Sequence, residues 1–474
     1  MIIGKVAFTS SLGCYGLELC LQEAYKRNDW QIYDVDIYTA NACDVLLVTL
    51  TYYADILMFE KFLQDASLKN RKGKPVIIAG GIEATLNPEL ISQMADYVFL
   101  GDGEDHTYQI LDYISQGKDP QDICKYLYKQ GDKDIPEPYN APKIKPIAYF
   151  QKRFIVQNKD QTLKKIINDE DRKLGKLYRV EIARGCKSKC PFCVMSGLKP
   201  YREASYEDII KVASIIPDGS YTSFFAPDTV EHSQYDKINE YIRLHNLNNS
   251  GVDTRLKNLP NSQTQSVTIG IEGVSDKLRK VAGKPYKAKY ILEQIGKYVE
   301  RRKSEGKNSL INIYYIADLP GEKKEDYEEL LEFFRDIERA EWSRNLSIRP
   351  VLNPLSPKPF TALYNSPIHP LRDYMPLWKT ICRGGTGKGK WGFKVVEQAI
   401  WSPSDRVIDA VIHRGKEKAY RIISKLKSRY LTHYVANRVV AYQIAKQIIS
   451  ECEKIGLTKT DLFNSENLGW EDWE

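Results

Sequence analysis

The chain has 474 residues, of which 42% are hydrophobic and 28% charged, and carries a formal net charge of +7. At roughly 150 residues per unit this length suggests about three domains, and the apolar content excludes a disordered chain. Lysines interleave with acids along most of the sequence, which permits an anionic partner without requiring one.

Residues 1–117 alternate strand and helix signals: Val6-Ala7-Phe8, an amphipathic stretch over residues 17–26, Val45-Leu46-Leu47-Val48, a helix around residues 59–63, Val76-Ile77-Ile78-Ala79 and Tyr97-Val98-Phe99-Leu100. Such alternation predicts a parallel sheet with crossover helices, an α/β fold. Ligands on this architecture bind beyond the carboxyl ends of the strands, so residues 49–52, 80–85 and 101–104 surround one candidate crevice. The chain opens directly into a strand, without the basic and apolar regions of a leader. Its longest apolar stretch, residues 45–59, is broken by Asp55 and falls short of the ~20 residues that span a bilayer. No transmembrane segment is predicted, and the expected location is cytoplasmic.

Residues 118–177 weaken into Lys, Asp and Pro; Pro136, Pro138, Pro142 and Pro146 argue against a continuous helix or central strand, and the segment reads as a connector. Over residues 178–365 short strands recur with helices between them, at residues 179–182, 223–225, 252–253, 267–270, 311–315 and 346–348. Six such units predict part of a parallel barrel, with its chemistry at the C-terminal strand ends. Residues 366–474 read as mainly helical, most clearly over 419–426 and 435–452. Within them Gly384-Gly385-Thr386-Gly387-Lys388-Gly389-Lys390 matches the first part of a phosphate-binding loop. Trp391 stands where a Ser or Thr would hold magnesium, so ATPase chemistry is rejected.

Nine cysteines are an odd count in a chain of this length, which argues against a full disulfide framework. Three of them share a short loop after the first barrel strand: Ala183-Arg184-Gly185-Cys186-Lys187-Ser188-Lys189-Cys190-Pro191-Phe192-Cys193. Three thiolates on an iron–sulfur cluster leave one iron open to bind another molecule, and the basic neighbours favour the deprotonated thiols. On the residues alone, a zinc site completed by a distant residue and three unrelated reduced cysteines remain open. Cys14, Cys20, Cys43, Cys124, Cys382 and Cys452 stand alone and read as small buried hydrophobes.

The Cys-x3-Cys-x2-Cys spacing, with Phe192 before its last cysteine and at the end of a first barrel strand, resembles the radical S-adenosylmethionine (SAM) superfamily. The resemblance implies that Cys186, Cys190 and Cys193 hold a four-iron, four-sulfur cluster whose open iron chelates SAM, and that reductive cleavage yields a 5′-deoxyadenosyl radical. It covers about residues 178–365. The segment Ser223-Phe224-Phe225-Ala226-Pro227-Asp228 falls where the family has its second-strand contact to the methionyl amino group, without the usual Gly-Gly-Glu form. Phe192 and Ala226 are thus expected beside SAM. By the same resemblance Glu272 would accept from the ribose hydroxyls and Arg279 would pair with the SAM carboxylate. Tyr314-Tyr315-Ile316-Ala317-Asp318-Leu319-Pro320-Gly321-Glu322 and Pro357-Lys358-Pro359 resemble the fifth- and sixth-strand ends.

The turns Ala79-Gly80-Gly81-Ile82-Glu83-Ala84-Thr85 and Leu100-Gly101-Asp102-Gly103-Glu104 resemble the Rossmann-like domain that precedes the barrel in cobalamin-binding radical SAM enzymes. Glycine there lets backbone approach a large planar ligand. The expected cobalamin contacts are Thr49, Thr51, Gly80, Gly81, Thr85 and Gly103. An Asp-x-His-x-x-Gly motif is missing, so no lower histidine ligand is expected. Ile412-His413-Arg414-Gly415-Lys416 and Leu468-Gly469-Trp470-Glu471-Asp472-Trp473 resemble tail elements of the same group; the helical tail is expected to cap the barrel mouth, with His413 and Arg414 as ordinary surface residues.

The domain plan is then a Rossmann-like unit over 1–117, a connector over 118–177, a partial (β/α)6 barrel over 178–365 and a mainly helical region over 366–474. The resemblance implies a cobalamin-dependent C-methyltransferase acting at an unactivated carbon, served by an external one-electron reductant such as flavodoxin or ferredoxin. Tyr315 and Arg349, near strand ends, are expected to orient the substrate, whose identity is open among protein, peptide, lipid and nucleic acid. Two rivals are a cobalamin-independent radical SAM enzyme, RNA-modifying methylthiotransferase-like or carbon-carbon coupling, and a zinc-stabilised module that binds nucleic acid through its basic tail.

Overall fold

The apolar runs of the first hundred residues become parallel strands buried on both faces. The computed structural model describes residues 1–8, 14–71, 73–151, 177–249, 252–262, 266–369, 375–382, 391, 394–395, 403–426 and 438–464. β1 (Ile2–Ala7), β2 (Gln31–Asp34), β3 (Val45–Thr49), β4 (Val76–Gly80), β5 (Tyr97–Phe99) and β6 (Leu127–Tyr128) form one sheet in the order β2-β1-β3-β4-β5-β6. All neighbours are parallel except β6, which runs antiparallel to β5. β3 is central, and its residues 45–48 are all buried, as a strand covered by helices on both faces requires. β2 has no counterpart among the predicted strands: it is an edge strand and mostly exposed.

The segment expected to be a connector is threaded into two sheets. β6 closes one edge of the first sheet, and β7 (Tyr149–Gln151) pairs antiparallel with β8 (Leu177–Glu181). After β8 the small antiparallel pair β9 (Ala183–Arg184) and β10 (Arg202–Glu203) brackets the cysteine loop. The six predicted barrel strands are present in two parallel runs. β8 and β11 (Tyr221–Phe225) form the first, extended by β12 (Asn248–Asn249); β13 (Val252–Thr254), β14 (Ser266–Glu272), β15 (Ser309–Ala317) and β16 (Leu346–Pro354) form the second, extended by β17 (Lys394–Val395). Among the described residues the strands do not close into a ring.

Period-two alternation sets the barrel walls. Val267, Ile269, Ile311, Ile313 and Tyr315 face the helices in one core, while Thr268, Gly270, Asn312 and Tyr314 stay half-exposed on the opposite face. Ser275 starts the helix Asp276–Val281: its hydroxyl accepts from Leu278 N at 3.2 Å and donates to Asp326 at 2.6 Å.

The C-terminal helices pack mainly on the first domain. Pro403–Arg414, Lys416–Ile423 and Arg438–Lys454 share a single hydrophobic core with the first sheet, joining Val407, Val411, Ile412, Ile422 and Ile448 to Leu46, Val48, Ile56 and Ile77. They reach the barrel at its strand ends, where Arg406 donates to Asp318 at 2.7 Å and to Leu355 O at 3.2 Å. The tail therefore completes the first domain and touches the barrel at the carboxyl ends of β15 and β16. Among the described residues no helix is long and apolar enough to cross a membrane. The glycine-rich segment 384–390 and the final motif at 468–473 lie outside the described residues.

Candidate functional site

The cysteine loop follows β8 as the strand leaves the barrel wall, and its thiols are half-buried and free. Gly185 takes φ 75°, and a Cβ there would come within 2.3 Å of Pro200 O, so only glycine lets the loop pass the segment leading into β10 this closely. Cys193 N donates to Cys190 O at 3.1 Å. Ser188 N lies 3.4 Å from Cys186 Sγ, and Arg255 Nη2 lies 3.7 Å from the same sulfur. Burial pushes the Cys190 thiol up, while the nearby Lys284 ammonium pulls it down.

Among the described residues no three His, Cys, Asp or Glu side chains gather closely enough to hold a single metal ion. A zinc ion needs its ligands converging at about 2.0–2.3 Å, whereas a cluster takes its thiolates on separate irons. Three free thiols on one loop, with an N–H and a guanidinium directed at one sulfur, fit a cluster, because donors to the sulfurs are what tune such a centre.

Around this loop lie charged groups, of which motif reading named Glu272, quoted Asp228 only as the end of the second-strand segment, and missed Arg255 and Lys284. Arg255 follows β13, and its Nε stands 3.0 Å from Asp228 Oδ2, just beyond β11. That contact is out of hydrogen-bonding alignment, so both Asp228 carboxylate oxygens are buried without a hydrogen bond. Burial raises Asp228 to about 6, against the pull of Arg255. Glu272 takes a left-handed φ of 64° where β14 shifts register against β15. This irregularity re-aims its side chain, which receives Lys284 Nζ at 2.8 Å. Phe192 is half-buried against the second barrel core, and Ala226 is buried in the first.

Two expected roles do not match the geometry. Arg279 is spent on its own helix start: it donates to Tyr286 O at 2.7 Å and Gly273 O at 3.3 Å and pairs with Asp276, with its side chain only 3% exposed. Tyr315 is fully buried on the helix-facing side of β15, edge-on to Trp378 at 5.8 Å. Strand alternation turns it away from the barrel interior, where Tyr314 stands instead. Arg349 does lie on the inner side, donating to Asn312 Oδ1 at 3.3 Å, but five residues before the end of β16. His413 and Arg414 are not surface residues. His413 is buried between Asp409, Glu83 and Asn87, and Arg414 donates to Leu462 O at 2.8 Å and Ser366 O at 2.7 Å.

The expected crevice is a cavity of about 500 Å³ at the carboxyl ends of β3, β4 and β5. Thr49, Thr51, Gly80, Gly81 and Gly103 line it from the first domain; Arg179, Glu181, Arg184, Met195, Lys199 and Phe225 line it from the barrel. Thr85 sits behind this wall and ties its two turns together, donating to Gly81 O at 3.0 Å and accepting from Gly101 N at 3.1 Å. Nothing lies within 4 Å of a Cβ built at Gly80, so its backbone is bare toward open space. Cys14 and Cys20, read from the sequence as buried hydrophobes, also line the cavity. Desolvation, with Glu104 nearby, pushes the Cys20 thiol up to about 12.

Ion pairs lock the two walls. Arg184 donates to Glu181 at 2.9 and 2.7 Å and to Glu104 at 2.6 Å. Asp102 is shared among Arg184, Arg202 at 2.9 Å and Lys199. Burial opposes the ionised Asp102, yet these cations hold it at about 2.

Comparison with known proteins agrees with this arrangement. A family profile described as radical SAM proteins, N-terminal, matches residues 18–133, and one described as the radical SAM superfamily matches residues 180–334. The chain is 22% identical over 373 residues to an uncharacterised protein of Methanocaldococcus jannaschii, covering 76% of this chain and 78% of that one. It is 23% identical over 354 residues to the ribosomal protein uS12 methylthiotransferase RimO of Prochlorococcus marinus, covering 70% and 69%. Its fold is similar to that of the radical SAM methyltransferase TsrM of Kitasatospora setae, solved with cobalamin and a 4Fe-4S cluster, with a TM-score of 0.52, 15% identity and coverage of 76% and 73%. With both family profiles matched in chain order and the cysteine loop at the end of the first barrel strand, the chain belongs to the radical SAM superfamily, whose enzymes use a four-iron, four-sulfur cluster and SAM.

Proposed function

We propose that this enzyme is a cobalamin-dependent radical SAM methyltransferase that transfers a methyl group to an unactivated carbon. The observation that carries the reading is the cavity walled on one side by glycine turns and on the other by the barrel face that leads into the cysteine loop. Radical chemistry works only at contact distance, and this cavity opens one space to both domains. Cys186, Cys190 and Cys193 would hold the cluster, and the bare backbone at Gly80 with Gly81, Gly103, Thr49 and Thr51 would receive cobalamin. Bound there, the cluster supplies the electron that cleaves SAM and cobalamin supplies the methyl group. The chain's own groups bind and orient: Asp228, ionised, accepts from the ammonium of SAM, and Glu272 accepts from its hydroxyls. TsrM, similar in fold, was solved with cobalamin and a 4Fe-4S cluster bound.

A methylthiotransferase is the second reading, favoured by the similarity to RimO. Against it, only Cys14 and Cys20 of the first domain reach the cavity, while Cys43 and Cys124 are buried in its core, so a third thiol for a further cluster is lacking among the described residues. Anaerobic reconstitution with iron, sulfide and hydroxocobalamin, followed by assay with SAM and reductant, tests the proposal. Formation of both 5′-deoxyadenosine and S-adenosylhomocysteine with substrate present is the expected result. Loss of the brown colour and of deoxyadenosine in Cys190→Ala is expected as well. A protein that holds zinc on the loop and leaves SAM intact overturns the reading.

A further inference from the structure

The charged groups that line the cavity divide into two sets. Asp102, Glu104, Glu181, Arg184 and Lys199, with Arg202 behind them, neutralise one another through the ion pairs described above. Arg179 stands apart. It lies on β8, exposed, on the strand face that also carries Glu181, and it lines the cavity. Among the described residues its guanidinium has no hydrogen-bond or ion-pair partner. Its partner in register on β11 is Ser223, half-exposed, whose hydroxyl is also unengaged among the described residues. Neighbouring strands lie about 4.8 Å apart, so Ser223, beside the cavity lining and not part of it, stands within reach of a group held by Arg179. A guanidinium matches the paired oxygens of a carboxylate or phosphate, and low-dielectric walls strengthen its attraction for an anion. The lining also carries apolar groups, with Phe225 on the adjacent strand, Met195 from the same wall and Ile82 from the first domain.

We infer that Arg179, with Ser223, anchors an anionic group, a carboxylate or phosphate, of the molecule that is modified, and that this molecule has an apolar body. The inference rests on the methyltransferase reading and deepens it by giving the chemical class of the substrate. Arg179 faces the glycine turns from the opposite wall, so an anion held there is presented across the cavity from the cofactor surface.

The test uses the full-length, anaerobically reconstituted protein and the arginine reagent phenylglyoxal, with modification at Arg179 followed by peptide mass. Inorganic phosphate and glutarate are the probes, and the exposed Arg344 is the reference. Each probe is expected to slow modification of Arg179 at least fivefold and leave Arg344 unchanged. In parallel, phosphorus-31 line broadening of inorganic phosphate is expected to weaken at least tenfold in Arg179→Gln, with Arg179→Lys intermediate because charge remains without the planar fork. No protection by either anion overturns the inference. Protection by hydroxocobalamin or SAM without protection by phosphate and glutarate also overturns it, because the anion then belongs to a cofactor. Failure of the methyltransferase reading registers elsewhere, as absent deoxyadenosine and S-adenosylhomocysteine in the wild-type assay, and leaves the anion measurement standing.

Discussion

Arg184, two residues ahead of Cys186, donates to Glu104 at 2.6 Å and so fastens the cysteine loop to the glycine turn at Gly103. Both side chains are nearly buried, at 12% and 5% exposure. Glu104→Gln removes one charged hydrogen bond and leaves Arg184 paired with Glu181 and Asp102, so it is expected to cost about 1–2 kcal/mol of stability in urea denaturation. It is also expected to lower S-adenosylhomocysteine formation more than deoxyadenosine formation, since it loosens the two walls without touching the thiols. An unchanged product ratio would remove the coupling role.

Asp228 gives a pH prediction with a definite sign. Burial raises it from 3.8 to about 6, so the folded protein holds this proton more tightly than the unfolded chain does. Its contribution to stability therefore falls as pH rises from about 4 through about 6, and the ionised form costs up to about 3 kcal/mol at neutral pH. Asp228→Asn is expected to melt higher than the wild type at pH 7.5 and to bind SAM more weakly. In the wild type, SAM binding is expected to decline as pH drops through about 6. Equal affinity in the variant would dissociate Asp228 from SAM.

Adjacent glycines are expected to respond differently. At Gly81, φ is 98° and a Cβ would come within 2.5 Å of Leu50 O, so Gly81→Ala is expected to destabilise by about 2 kcal/mol or more. At Gly80 the added methyl meets only open space. Gly80→Ala should leave stability within about 0.5 kcal/mol and weaken hydroxocobalamin binding in a visible titration. Unaltered binding would place the corrin elsewhere.

Tyr315 carries a buried hydroxyl with no hydrogen-bond partner, and such a group costs stability. Tyr315→Phe is expected to raise stability by about 1 kcal/mol and leave SAM cleavage intact. A loss of cleavage with a folded protein would restore Tyr315 to the reaction.

The parallel strands were readable because their burial demands apolar runs: Val45-Leu46-Leu47-Val48 and Val76-Ile77-Ile78-Ala79 have few alternatives. Gln31–Asp34 escaped because an edge strand with one face in water needs only Ile32 to pack. At the site, the cysteine loop and glycine turns were legible because their residues lie together in sequence. Arg255 and Asp228 follow different strands and Lys284 follows the helix Asp276–Val281, and only folding brings them to the loop. Tyr315 and Arg279 show the opposite failure: proximity to a motif suggested chemistry, whereas strand alternation and a helix start gave them structural work.

The shared core of the first sheet and the last helices carries a consequence for biogenesis. Leu46, Ile56 and Ile77 lack part of their cover until residues beyond 400 have left the ribosome, so these residues must wait for helices made more than 300 residues later while the barrel folds between them. Trimming the tail would thus expose an oily surface on the opposite end of the sequence, and the shortened product is expected to aggregate before any question of catalysis arises.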